Sequence, residues 1–354
     1  MNNIERIRQE LSRQKYGAML ITDAANRLFA TGFRSSDGAL LVTEDKVFFY
    51  TDSRYFEAAE AAITDANVLQ VTADTPYSAL IAAALDECGI ASLGFEDGTT
   101  TYAKYLEWQN KLGCQLIPIE KTLSSMRAVK SADDLAHMKK AQRIAEKSFE
   151  EILPLVNSGI SEKELAAELL FRFLKNGAAD KAFDTIVVSG PKSSMPHGIP
   201  ENVRIGKGFL TIDFGVRLDD WCSDTTRTVC IGQPDEEMVR VYDTVLKAQE
   251  AGIKAVRAGK PASEVDAGAR AVIENDGYGE YFGHGFGHGL GLEVHEEPRV
   301  SKSSECILPA GAVISAEPGI YLPGRFGVRV EDVVYVKEDG CENITKLPKK
   351  LLIL

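Results

Sequence analysis

A chain of 354 residues with 44% hydrophobic and 26% charged side chains has an ordinary globular composition and is long for one core, so two domains are expected. Its 40 basic and 52 acidic residues leave a net charge of −12, which repels phosphate and argues against binding nucleic acid or an anionic membrane. No apolar run approaches the ~20 residues that span a bilayer, no signal-peptide core follows the N-terminus, and six scattered cysteines lack a C-x-x-C pair; a cytoplasmic address is expected.

In chain order, Ile4, Ile7 and Leu11 recur at helical spacing, and Gly17 precedes an apolar strand over 18–21. Gly38 to Val42 and Val47 to Tyr50 flank four polar residues and predict a hairpin. Helices are expected over 54–62, 77–88 and 102–112, with short strands near Val68 and Leu93. This α/β unit holds no histidine and no dense acidic group, so no chemistry is assigned to it. A second unit opens at Ser131, where Ser131 with Asp134 resembles a capping box. Leu135, Met138, Ala145, Phe149 and Ile152 mark one helix face up to Gly159, and Ser161 with Glu164 starts another helix that ends at Gly177. Helices over 236–256 and 263–275 follow, with strands and hairpins between them. The expected class is therefore α+β, a helix-wrapped antiparallel sheet (126–354) after a smaller α/β domain (1–125).

The chemistry gathers in the second unit. Asp213, embedded in an apolar run, and Asp224 are equidistant from a turn centred between Leu218 and Asp219. That symmetry predicts two directly opposed carboxylates, which repel unless a cation separates them. Glu317 and Glu331 are equidistant from Gly324 in the same way, and Pro318 favours extended backbone at Glu317. Four carboxylates are too much charge for a dry site but suit two divalent ions. His288 lies where glycine at every second position, Gly283 to Gly291, allows close backbone approach. One nitrogen with four carboxylates is a hard, oxygen-rich donor set, so Mn²⁺ is the expected ion, with Co²⁺, Zn²⁺ or Fe²⁺ as alternatives. The implied reaction class is metal-assisted hydrolysis. His137, alone on a helix, is read as structural.

Asp213, Asp224, the Gly-His-Gly segment with His288, Glu317-Pro318-Gly319 and Val330-Glu331-Asp332 resemble the pita-bread metallopeptidases, a group including methionine aminopeptidase, aminopeptidase P and prolidase. Asn26 to Phe33, Thr51 to Tyr55 and Leu93 to Glu96 resemble the creatinase-type N-terminal domain of the Xaa-Pro branch. The resemblance implies that Asp213, Asp224, His288, Glu317 and Glu331 bind two metal ions and that Glu317 also takes a proton. It further implies that His197 and His284 line the substrate pocket, that His295 assists the tetrahedral intermediate, and that Arg329 and Tyr321 lie in the active site. The implied substrates are peptides with proline second, and the implied assembly is a homodimer. A metal-free creatinase or a non-enzymatic relative would be expected to lack ligands that are all present. Aminopeptidase P and prolidase activity both remain open. The shortness of the chain leans the reading towards the aminopeptidase, with Xaa-Pro dipeptidase as the alternative.

Overall fold

In a computed structural model, which describes residues 2–14 and 16–354, contacts divide the chain into two units, Met1–Met126 and Arg127–Leu354. The first is a six-stranded mixed sheet in the order 67–70, 47–51, 39–43, 18–21, 92–95, 115–118. The expected hairpin forms with Val42 opposite Val47. Strands 18–21, 39–43 and 47–51 are buried at every position, as continuous apolar runs require. Two helices have no counterpart in the expected elements. Ala24–Thr31 buries Arg27, Leu28, Phe29 and Ala30 in succession, which erases the periodicity that would reveal it. The other, Glu120–Ala128, falls where the sequence shows neither a clear apolar stripe nor a linker.

The second unit contains, besides two smaller sheets, two main antiparallel sheets flanked by helices. One has the order 225–231, 208–214, 186–189, and the other 296–300, 287–289, 313–316, 332–337, 340–343. Helices Ala132–Ile152 and Glu162–Lys175 begin with complete capping boxes at Ser131/Asp134 and Ser161/Glu164. The first gives way at Leu153 to a 3-10 turn with Pro154 in its first turn, because proline cannot continue the helical ladder. Both helices cover the first sheet, where Leu165, Leu169 and Phe173 join Leu210, Ile212 and Phe214 in one core. Phe149 stacks on Phe214 at 5.1 Å. Helices Glu236–Ala255 and Ala262–Asn275 cover the second sheet through Val245, Ala248, Ile314 and Val334. No helix among the described residues is long and apolar enough to cross a membrane.

Two features tie this core to the segment that carries the histidines. Gly252 sits against the Phe286 ring, so close that a Cβ there would lie 2.2 Å from it. Glu296 is buried between two cations, its Oε2 accepting from Lys130 Nζ at 2.9 Å and its Oε1 from Arg127. Burial alone would raise the Glu296 pKa, but Lys130 and Arg127 outweigh it and hold the carboxyl below its ordinary range.

Gly252→Ala, which favours an isolated helix by about 1 kcal/mol, should here lower stability by about 1–3 kcal/mol through overpacking. The measurement is the urea midpoint; a rise would contradict the close contact. For Glu296, a depressed folded pKa makes the unfolded carboxyl the tighter proton binder. Its contribution is complete above the unfolded value of ~4.3 and is lost as pH falls through the folded value. The stability gap between wild type and Glu296→Gln should narrow as pH drops below about 4.

Candidate metal centre and substrate pocket

Asp213 lies on the Gly208–Phe214 strand, and its partner across the ladder is Thr226, not Asp224. The direct opposition expected from spacing does not occur because the turn sits elsewhere. Asp219 and Asp220 both adopt positive φ, 47° and 72°, forming a two-residue hairpin turn that pairs Leu218 with Trp221. Centring the turn between them shifts the register by two residues. Strand alternation then returns Asp224 to the same face as Thr226, diagonal to Asp213. His137, on its helix, reaches this turn through Nδ1 and Asp219 Oδ2 at 3.2 Å.

The second hairpin is symmetric about Gly324, as its spacing predicts: Gly319 faces Arg329 and Ala316 faces Asp332. Glu317 and Glu331 fall in the gap between these two ladders. Their backbone N–H groups turn to other chain segments, Glu317 to Phe286 O at 2.8 Å and Glu331 to Thr226 O at 3.1 Å. The gap therefore docks both glutamates against the other acidic hairpin and the histidine strand.

His288 occupies the Gly287–Gly289 strand, squeezed between neighbours. A Cβ at Gly287 would lie 2.0 Å from Ser315 O, and one at Gly289 2.1 Å from Glu297 O. The alternating glycines thus serve close approach of adjacent strands. His288 Nδ1 contacts Gly289 O at 3.1 Å, and Nε2 lies 3.0 Å from Glu317 Oε1 and 3.8 Å from Asp224 Oδ2. Ser315 Oγ accepts from His288 N at 3.0 Å and donates to Glu317 Oε1 at 3.0 Å. Asp224, His288 and Glu331 bring one donor atom each within 4.8 Å of one another. Glu317 joins them through His288, while Asp213 is held by Arg329, whose Nη2 donates to Oδ2 at 2.7 Å.

Arg329 is fully engaged. Besides Asp213 it donates to Thr226 Oγ1 at 2.9 Å, Tyr321 Oη at 2.9 Å and Pro196 O at 3.2 Å. Tyr321 Oη in turn lies 3.0 Å from His284 Nε2, and His284 Nδ1 lies 2.8 Å from Gly285 O. With the carbonyl fixing the proton on Nδ1, the chain runs from guanidinium to phenol to imidazole. His295 stacks edge-on against His288 with ring centroids 4.4 Å apart. His197 is exposed beside Pro196. Residue-by-residue reading missed Thr226, which also donates to Glu331 Oε2 at 2.8 Å, and Ser315. Thr226 was findable, two residues after Asp224 on the same strand face. Ser315 was not, because its role depends on strand pairing. Arg299 was also missed; it faces His288 directly across the ladder and is exposed.

The electrostatics fit a cation. Burial, then Glu331 and Asp213, push the Asp224 carboxyl well above its ordinary pKa; burial, then Glu317 and Asp213, do the same to Glu331. Asp213 is also raised, by burial and Glu317 against the pull of Arg329. Burial opposes ionisation of Glu317, but His288 overrides it and holds the carboxyl at about 2. Asp213 Oδ1 is buried with no hydrogen-bond partner. With His288 Nδ1 committed to a carbonyl, its Nε2 faces the Glu317 carboxylate, which against the effect of burial raises the His288 pKa. That arrangement requires a proton or a cation between them. The residues present therefore suit a divalent ion and hard-ligand hydrolytic chemistry.

The sequence profile of Metallopeptidase family M24 matches residues 136–338, and that of the Creatinase/Prolidase N-terminal domain matches residues 3–129. The chain is 34% identical to a Xaa-Pro dipeptidase of Pyrococcus horikoshii, covering 99% of this chain and 98% of that one. Among solved structures, the Xaa-Pro dipeptidase from Bacillus anthracis is 38% identical with a TM-score of 0.95, each chain covered to 99%. The X-Pro aminopeptidase from Thermotoga maritima is 36% identical with a TM-score of 0.93, each chain covered fully. The α+β fold with a helix-wrapped antiparallel sheet after a creatinase-like domain is thus a shared architecture. This chain belongs to metallopeptidase family M24.

Crowded buried carboxylates give Asp224 a double signature. Asp224→Asn should stabilise the metal-free protein at neutral pH, because it removes a charge that burial and its neighbours disfavour. The same substitution should abolish the stabilisation expected when wild type is titrated with a divalent ion such as Mn²⁺, about 2.7 kcal/mol at a hundredfold excess over Kd and read as a rise in thermal midpoint. Equal Mn²⁺ shifts in both proteins would remove Asp224 from the metal centre.

Proposed function

We propose that this protein is a Xaa-Pro dipeptidase, with Asp213, Asp224, His288, Glu317 and Glu331 holding two divalent cations. Manganese is the ion we assign, on the hardness of the donor set. Bound cations would polarise the scissile carbonyl and acidify water. Glu317, a carboxylate at neutral pH, accepts the proton of the attacking water. His295 has its pKa pushed down to about 4, by desolvation and by His288. It is therefore a neutral imidazole whose N–H can meet the oxygen that becomes negative. His284, its pKa lowered first by burial, forms with Tyr321 the wall on the proline side, and His197 lies at the exposed edge.

The observation that carries the dipeptidase reading is the disposition of the two arginines. A dipeptide presents a free carboxylate one residue beyond the scissile bond, and recognising it needs an uncommitted cation. Arg329 has four donor contacts already made inside the protein. Arg299, exposed and cross-strand from His288, has no side-chain hydrogen bond or ion pair to any other described residue, and its charge reaches both His288 and His295. Chain length, which leans towards an aminopeptidase, carries no weight: this chain covers 98% of a relative named Xaa-Pro dipeptidase. The aminopeptidase reading is kept as the second one on the likeness to the T. maritima enzyme.

A Xaa-Pro dipeptide should be turned over at least tenfold faster than a Xaa-Pro tetrapeptide at equal concentration. Cleavage of the tetrapeptide alone would return the assignment to the aminopeptidase. Arg299→Ala should raise KM for the dipeptide by about 10–100-fold, the worth of a charge-assisted contact. His295→Ala should keep bound metal and lower kcat by about 10²–10⁴-fold; unchanged kcat would exclude its role.

A further inference from the structure

His295 has no side-chain hydrogen bond to any other described residue, and its residue is exposed. Its one defined contact is the edge-on ring of His288, 4.4 Å away. A rotamer held by so little must be placed by its backbone. The next residue, Glu296, is the most constrained carboxylate of that loop. Its side chain is 3% exposed, against 1% for Lys130 and 7% for Arg127. Oε2 accepts from Lys130 Nζ at 2.9 Å, and Oε1 accepts from Arg127 and, at 3.1 Å, from Glu293 N. Lys130 Nζ also donates to Arg127 O at 2.7 Å. Gly291, at the other end of the loop, leaves just enough room for this cluster: a Cβ there would lie 2.7 Å from Glu296 Oε2 and 2.9 Å from Lys130 Cε. Gly291 N bonds Glu293 O at 2.9 Å, closing the loop on itself. The far side is equally fixed, since Lys130 N donates to Gly311 O at 2.9 Å ahead of the strand leading to Glu317.

We infer that Glu296, clamped by Arg127 and Lys130, is a positioning residue that sets the His295 imidazole against His288. The 290–295 loop is thereby pinned at its base by a buried ion cluster while its tip stays open to substrate. Two buried cations around one carboxylate make the lock stiff, because releasing the carboxylate would leave them uncompensated. This inference rests on the role assigned to His295 in the dipeptidase reading.

Glu296→Gln keeps the shape of the side chain and removes its charge. In the metal-loaded variant, kcat for a Xaa-Pro dipeptide should fall about 10–100-fold with KM and metal content unchanged. In a His295→Ala background the same substitution should cost no further kcat, because the two act through one imidazole. Crystal structures of metal-loaded wild type and Glu296→Gln supply a readout independent of turnover, with the 4.4 Å ring contact present in the first and lost in the second. Wild-type kcat in Glu296→Gln, an equal loss in both backgrounds, or an unmoved ring would each overturn the inference. Should Glu296→Gln not fold, Lys130→Met, which leaves Arg127 in place, must show the same pattern. A displaced ring in a protein inactive on Xaa-Pro peptides would preserve the positioning role and reject the dipeptidase reading.

Discussion

Four carboxylates crowded into one buried cleft repel one another, and much of the second unit is organised around holding them there. Asp213, Asp224, Glu317 and Glu331 come from two hairpins whose pleats face each other. Burial and mutual repulsion push three of them towards the neutral form. Only Glu317 is held ionised, by His288. Such a cluster is stable in the protein when positive charge enters it. Arg329 supplies such charge to Asp213, while Asp224, His288 and Glu331 gather at the other end of the cleft.

The shell around the cleft consists of groups that bond two partners at once. Thr226 joins Glu331 to Arg329, and Ser315 joins His288 to Glu317. Arg227, on the opposite face of the same strand, donates to the carbonyls of Thr226 and Glu331 and to Asp332 Oδ1 at 2.8 Å. Each of these side chains fixes the distance between two strands at the point where a carboxylate leaves one of them. Hydrogen bonds to a carboxylate from a neighbouring hydroxyl, as Thr226 makes to Glu331 and Ser315 to Glu317, fix its orientation and tune its basicity.

The substrate side differs from the metal side in rigidity. The buried chain runs from Arg329 through Tyr321 to His284 by hydrogen bonds of 2.9 and 3.0 Å, and Gly319 and Gly327 give the Tyr321 ring its room. His197, His295 and Arg299 lie exposed at the rim. Beside that buried wall, Arg299 brings one positive charge to the exposed side of the cleft, close enough to act on both His288 and His295.

Local chemistry made much of this legible. Both capping boxes, the hairpin symmetric about Gly324 and the five ligand-type residues could be read directly, because each depends on spacing along one or two adjoining strands. The helix at 24–31 was hidden by its unbroken burial. The register at Asp213 was misjudged because it rests on which two residues of an acidic turn take positive φ, and Asp219 and Asp220 do so without a glycine to signal it. The sequence by itself determined the family-type donor set and its order. Tertiary packing alone commits Arg329 to Asp213, leaves Arg299 exposed opposite His288, and clamps Glu296 between Arg127 and Lys130. These depend on contacts between residues far apart in the chain, and burial, which sets the strength of every charge interaction here, exists only once those segments have packed.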